Sequence, residues 1–240
     1  MTTLWQDLRY GARMLIKHKG LTVIAVLSLA LGIGANSAIF SLVDAVLLKS
    51  LPVREPERLA QLKWLARSSF RNFNYDGSSR DDEATGLRIS TSFPQQTFEQ
   101  FRARQSVFTD LFAFASLEQV NANIDGQAEV ASGLVVSGGY FTGLGVEPVL
   151  GRAITAEDDR SNAPAVAVIS FQYWVRKFGA NPAVIGKQIN LNNAAFTIIG
   201  VTPREFAGVM GDGNARDLTI PLMMEPLVRE NNTSLNQQGL

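Results

Sequence analysis

The stretch KHKGLTVIAVLSLALGIGANSAIFSLVDAVLLKSLP, Lys17 to Pro52, decides how the rest of the chain is read. No formal charge occurs between Gly20 and Val43, and Asp44 is the only one among the 28 residues from Leu21 to Leu48. As a helix rising about 1.5 Å per residue, that run is roughly 42 Å long, against a bilayer hydrocarbon core of about 30 Å. It predicts a transmembrane helix over residues 20–48, with Asp44, Lys49 and Leu51-Pro52 near the far interface. Two readings compete with it. A cleaved signal peptide has a much shorter apolar core, and here the residues before it form a 19-residue segment of their own. A buried core helix would need protein on every side of a long apolar cylinder.

The flanks set a direction. Arg9, Arg13, Lys17 and Lys19 precede the span against one acid, Asp7. The positive-inside tendency puts that end in the cytoplasm and everything after about residue 49 outside it. Leu4, Trp5, Leu8, Ala12, Leu15 and Ile16 recur at helical spacing among Gln6, Arg9, Arg13 and Lys17. They predict an amphipathic juxtamembrane helix over residues 1–19 with Trp5 at headgroup level, either a passive anchor or a contact for a soluble partner. Inside the span, Ser28, Gly32 and Asn36 fall at four-residue spacing, as do Ala30, Gly34 and Ala38. Small side chains admit a second helix, and Asn36 can hydrogen-bond across the contact. The plainer alternative is that glycine is common in membrane helices.

Bulk composition narrows the function. The 240 residues carry 22 basic and 22 acidic side chains. Outside the first 19 positions the balance is 18 to 21, which gives no basic face for nucleic acid. There is no cysteine, so disulfides, thiolate catalysis and cysteine-held metals are excluded.

Beyond the span the pattern is α+β and strand-rich, with short helices covering one side of the sheets. Arg58–Leu65 predicts a strand, and residues 67–89 a polar loop whose acid cluster lacks the periodicity of a calcium site. Ser92-Phe93-Pro94 predicts a helix start with Ser92 or a neighbour as cap, followed by a stripe of Phe98, Phe101 and Phe108. Residues 117–136 alternate around Asp125-Gly126 as a hairpin. Further strands are predicted at 165–169, 186–191, 195–201 and 218–222, with a turn at Asn192-Asn193. Between them, Phe171, Trp174, Val175 and Phe178 form the apolar side of a helix, with Arg176 and Lys177 pointing away. Phe171, Trp174 and Phe178 are taken as domain core. Gly138, Gly139, Gly143, Gly145 and Gly151 predict tight turns against a core rather than a linker or an anion nest.

Catalytic chemistry is poorly supplied. His18 is the only histidine and sits beside the membrane. No G-x-S-x-G elbow and no phosphate-binding G-x-x-x-x-G-K-[ST] loop occurs. Glu157-Asp158-Asp159 reads as a turn cluster rather than a glycosidase pair. No catalytic residue, cofactor site or metal site is assigned. Asn231 and Asn232 each open a glycosylation pattern, which matters only in a host that glycosylates.

Several segments together resemble a known family. LRYGARMLIKHKGLTVIAVLSLALGIGANSAIFSLVDAVLL is similar to the first membrane segment of FtsX-like and MacB-like permeases of ABC transporters. VVSGGYFTGLGVEPVLGRAITAEDD, AVAVISFQYWVRKFGANPAVIGKQINLNNAAFTIIGVTP and DLTIPL resemble the MacB-like periplasmic core domain, in the same order. The likeness covers about residues 5–225 and is greatest to the duplicated permeases of soil bacteria such as Acidobacteria. It implies the bacterial inner membrane, a periplasmic core domain over 49–225 and a polar tail over 226–240. It implies a non-catalytic permease component working with a separate ATP-binding subunit, with other permease helices or a second permease copy, and with the lipid bilayer. Arg9, Arg13, Lys17 and Lys19 would then border the ATPase, and Ser28, Gly32, Gly34 and Asn36 would pack helices. Relatives export substrates or transmit force.

Such permeases carry three further helices near their C-terminus, and no second apolar run follows Leu222. The chain is therefore expected to be an N-terminal fragment unable to transport alone. Two other classes stay open: a single-pass anchored binding or scaffold domain, and an anchored hydrolase, for which neither histidine nor cysteine is available beyond the span. The helix-packing expectation is directly testable. Gly32→Leu should reduce helix–helix crosslinking in membranes several-fold, whereas unchanged crosslinking would remove Gly32 from any contact face.

Overall fold

The structure is a computed structural model that describes residues 2–43, 53–67, 79–210 and 215–229. The interfacial positions expected for Asp44, Lys49 and Leu51-Pro52, residues 68–78 of the polar loop and the residues after 229, Asn231 and Asn232 among them, lie outside the described residues. The same holds for the side chain of Trp5. The chain divides into two units, residues 1–50 and 51–240.

In the first unit, α1 (Thr2–Lys17) and α2 (Lys19–Val43) are separated only by His18. The bonds His18 N–Met14 O (3.0 Å) and Thr22 N–His18 O (3.1 Å) carry the helical ladder across that residue. Apolar side chains surround α2 on all sides, and Leu21, Ile24, Leu31, Ile33 and Phe40 are all exposed. The window Lys19–Ser41 is long and apolar enough to cross a membrane, and none of it is buried against protein. An uncovered apolar cylinder of that length belongs in lipid, which supports a membrane-anchored chain.

The second unit is built on two sheets. A small one contains β1 (Trp64–Arg67), β2 (Ser79–Asp82) and β3 (Leu87–Ser90), ordered β1-β3-β2 and antiparallel throughout. The acid-rich segment expected to be loop is thus in part a hairpin. Its pairing is satisfied by backbone, and Thr85 Oγ1 donates to Asp82 Oδ2 in the turn (2.6 Å).

The large sheet contains β4 (Phe114–Ile124), β5 (Gln127–Val136), β6 (Leu150–Gly151), β7 (Val166–Ile169), β8 (Gln188–Leu191), β9 (Ala194–Val201) and β10 (Leu218–Pro221). Its order is β6-β9-β7-β10-β5-β4-β8, and β8 also pairs with β9. Strand β9 meets β7 along one edge, and on the other meets β8 with its first half and β6 with its last two residues. Six strands therefore close into a mixed barrel, with β6 as a flap on its seam. Two pairings are parallel, β5–β10 and β7–β9. One extra residue enters β4 between Leu117 and Val120, and another enters β9 opposite Ala167-Val168. Such bulges bend strands enough to close a barrel.

Local chemistry explains the hairpins. Asp125 (φ 50°) and Gly126 (φ 84°) turn β4 into β5, and Asn192 (φ 46°) and Asn193 (φ 72°) turn β8 into β9. Both pairs suit the left-handed positions of a two-residue hairpin loop.

Alternation along the strands separates two cores. Ala131, Val135, Ala167, Ile169, Phe196, Ile198, Leu218 and Ile220 share the main cluster. Leu134, Val136 and Val168 face the other way and pack under α4 (Tyr140–Leu144), Ile154 and Phe206. Tyr140 sits among the rings of Phe112, Phe114, Phe141 and Phe206, with centroids 5.3–6.4 Å away.

Three helical expectations are adjusted. In α3 (Gln95–Arg104) the cap is Pro94, and no side chain caps the helix. Only Phe98 of the expected stripe is buried, while Phe101 and Phe108 are exposed. In α5 (Phe171–Phe178) the fully buried residue is Tyr173, and Val175 is exposed. Packing also continues past residue 225, because α6 (Glu225–Val228) buries Glu225 and Val228.

The closest approach on the seam is between Gly151 and Gly200, paired across β6 and β9. Gly151 holds φ 73°, and a Cβ there would strike Ile199 O, while a Cβ on Gly200 would strike Arg152 O. Gly200→Ala should lower stability by about 1–3 kcal/mol through forced backbone displacement, read as a lower denaturant midpoint with unchanged slope.

Candidate functional site

The residues singled out from sequence fall into three places. Arg9, Arg13 and Lys17 lie at four-residue intervals along α1 and Lys19 opens α2; all four are exposed. Ser28, Gly32, Gly34 and Asn36 are exposed on α2, and no atom lies within 4 Å of a Cβ built on either glycine. Helical geometry splits them. Ser28, Gly32 and Asn36 share one face, whereas Gly34 is turned away from Gly32 by roughly 200° and joins Ala30 and Ala38. The span therefore presents two strips of small residues, not one.

Phe171, Trp174 and Phe178 are half-buried on α5, the latter two against the main core cluster. The helix starts on Ser170, whose Oγ accepts from Tyr173 N (3.2 Å), and ends on Gly179 in the left-handed conformation. Its polar side is exposed, as expected, yet paired. Arg176 Nη2 donates to Asp217 Oδ1 (2.7 Å), and its guanidinium lies over the Tyr173 ring at 5.1 Å. Lys177 Nζ contacts Glu129 Oε2 (2.6 Å), and Tyr173 Oη donates to Glu129 Oε1 (2.8 Å). Asp217 Oδ2 also accepts from Ser132 N and Oγ, both at 3.0 Å. The hydrogen bond to Asp217 raises the Arg176 pKa above its ordinary value. Burial, with help from the Glu129 carboxylate, pushes the Tyr173 phenol far up. These groups clamp α5 onto β5 and the start of β10. A proton-transfer site would instead hold a base near neutrality.

The acid pair after α4 is likewise structural. Asp158 receives both Arg152 terminal nitrogens (2.6 and 2.8 Å) and the Thr155 amide and hydroxyl (2.9 Å each). The Arg152 hydrogen bond, aided by Thr155 and opposed by burial, holds the Asp158 carboxyl below its ordinary value. Asp159 accepts from Gly138 N and Met223 N, both at 3.0 Å. The two neighbours thus tie separate loops, one around Arg152 and one joining the start of α4 to the turn after β10. The turn read at Asp158-Asp159 fits the local partners of Asp158, whereas Gly138 and Met223, the partners of Asp159, are distant in the chain and carry no local signal. Tyr173, Glu129 and Asp217 were missed for the same reason.

Two cavities lie among the described residues outside these staples. An open one of about 400 Å³ lies beside the β4–β8 pair, lined by Asn121, Asn123, Asn190, Asn192 and Asn193. Asn192 is committed, with Oδ1 accepting from Asn121 N (2.9 Å) and Nδ2 donating to Val228 O (2.6 Å). A second, of about 20 Å³, lies near Tyr140 and Thr202. Among the described residues no group of three or more His, Cys, Asp or Glu side chains is placed to hold a metal.

An exposed apolar helix of membrane length is followed in the chain by a closed mixed barrel with structural polar staples, which supports a membrane-anchored topology. Residues 22–237 match the MacB-like periplasmic core domain, and the chain belongs to that family. Among curated proteins none matches. Three solved structures are similar to part of the chain. One is the periplasmic region of MacB from Actinobacillus actinomycetemcomitans, at 18% identity, covering 59% of this chain and 61% of that one, with TM-score 0.47. Another is the extracellular domain of the noncanonic ABC-type transporter YknZ from Gram-positive bacteria, at 16% identity, 58% and 68% coverage, and TM-score 0.46. The third is a domain of a putative permease protein from Porphyromonas gingivalis, at 18% identity, 59% and 61% coverage, and TM-score 0.42. The chain thus spans less than two thirds of the first of these.

Asp158 supplies a pH test. Its folded pKa lies below the unfolded one, so its contribution is full above the unfolded carboxylate pKa and is lost as pH falls through the folded value. Asp158→Asn should cost about 1.5–3 kcal/mol at neutral pH, and the gap to the parent should close in acid. Chemical denaturation at a series of pH values measures it.

Proposed function

We propose that this chain belongs to the membrane component of an ABC-type permease, without catalytic activity of its own. The observation that carries the reading is one uncovered membrane-length helix, Lys19–Ser41, at the start of a match to the MacB-like periplasmic core domain over residues 22–237. In this reading residues 1–19 lie at the cytoplasmic face of the bacterial inner membrane, 20–48 cross it, and 49–225 form the periplasmic domain. Arg9, Arg13, Lys17 and Lys19 hold the topology and border a separate ATP-binding subunit. The two small-residue strips on α2 receive neighbouring helices on opposite sides, from other permease segments or a second copy. ATP hydrolysis in the cytoplasm then drives movement of the periplasmic barrel, for export or for transmitting force. The barrel is suited to move as a body, because α5 and the loops around Arg152 and Gly138 are fastened by charge-assisted bonds.

One observation favours a second reading, an anchored binding or scaffold domain. The asparagine-lined cavity presents amide groups without charge, a surface suited to a neutral hydrogen-bonding partner.

The absence of native cysteine makes the test clean. Val107→Cys, at an 85% exposed position, should react with a membrane-impermeant maleimide in spheroplasts, and Arg13→Cys only after lysis. The reverse pattern rules the topology out. In native membranes an ATP-hydrolysing subunit should co-purify with the chain and be lost when Arg9, Arg13 and Lys17 are all changed to Glu. A chain that purifies without such a subunit supports the scaffold reading.

A further inference from the structure

The small cavity beside Phe206 and Gly208 gathers four hydroxyl side chains. Tyr140, Ser170, Thr202 and Thr219 line it, with Phe206 and Gly208 among its apolar walls. Tyr140 is 1% exposed and Thr202 4%. Tyr140 Oη and Thr202 Oγ1 are both buried without a hydrogen-bond partner. The Val209 amide influences the phenol but does not complete a hydrogen bond to it. A buried hydroxyl left unpaired costs about 1–3 kcal/mol, so two in one place call for a common partner. The Ser170 hydroxyl already accepts from Tyr173 N at 3.2 Å, which leaves its proton free to donate.

Size selects the partner. The cavity measures about 20 Å³. A single water needs roughly 10–15 Å³ of such space and two to four polar partners, and both conditions are met here. A sugar, a phosphate or a carboxylate is too large. Arg216 also borders the cavity, so a small anion is the one competing occupant.

We propose that this cavity is a hydration site holding one trapped water bridged between Tyr140 Oη and Thr202 Oγ1. Its place in the fold gives it a task. Tyr140 belongs to α4 and the aromatic cluster outside the barrel, Thr202 follows β9, Ser170 follows β7, and Thr219 lies on β10. The water joins α4 in the outer layer to the end of β9 in the barrel wall.

The sign of two near-isosteric substitutions decides the matter in the full chain in detergent. With a bridging water, Tyr140→Phe and Thr202→Val should each lower Tm by about 2–4 °C, and the double variant by clearly less than the two shifts combined. In a dry cavity each substitution removes an unpaired buried hydroxyl, so Tm would stay level or rise, and the proposal falls. Strictly additive losses would also overturn it, because the two oxygens would then have separate partners. A high-resolution crystal structure should show one density peak within hydrogen-bond distance of both oxygens, absent from the double variant. A missing peak, or a Tm that follows chloride concentration at constant ionic strength, would refute a water.

Discussion

Strand β9 carries two obligations at once, and the rest of the domain follows from meeting both. Its one edge must serve β7, and its other must serve β8 and then β6 within eight residues. Every backbone group so used is removed from solvent, and an open edge there would leave donors and acceptors unpaired against an apolar interior. Closure in turn requires the bulge in β9 and the bare backbones at Gly151 and Gly200. The cores on either side of the wall then fill from alternating side chains. The seam is thus a backbone problem first and a packing problem second.

Charged side chains serve the same closed body. Asp217 binds Ser132 on β5 and Arg176 on α5, while Glu129 binds Tyr173 and Lys177. Each carboxylate fastens a helix to a strand that the barrel has already positioned. Asp158 and Asp159 do the equivalent for loops. The pKa displacements at Asp158, Arg176 and Tyr173 therefore report fastening. The first unit has a different constraint. With nothing packed on α2, its apolar surface is answered by lipid or by other helices, and its small residues only become meaningful beside a partner.

Legibility in the sequence followed the range of the interactions involved. The hairpins at Asp125-Gly126 and Asn192-Asn193 were readable because turn chemistry is local. Runs such as VAVI were readable as buried strands because both of their faces are covered. The β2–β3 hairpin was not, since SRDD and LRIS show no apolar alternation and are held by backbone pairing. In α5 the buried stripe was placed on Phe171, Trp174 and Phe178. The polar-tipped Tyr173 is the residue fully buried, because Glu129 across the sheet satisfies its hydroxyl. The membrane helix needed only length and charge. What packs against its two strips is a matter of other segments, so the sequence of the helix names a surface and no occupant.

Strand β10 has a consequence for the order of folding. It is inserted between β5 and β7, parallel to one and antiparallel to the other, pairing Leu218–Pro221 with Gly133–Val136. The β4–β5 hairpin can form as soon as its own residues are free, because its contacts are local. Until residue 221 arrives, β5 and β7 keep bare inner edges and an unsealed apolar interior. Pairings this distant are slow, and such edges invite association with other chains. Among the described strands the last to emerge is therefore the keystone, and the barrel is at its most vulnerable to aggregation just before β10 slots in.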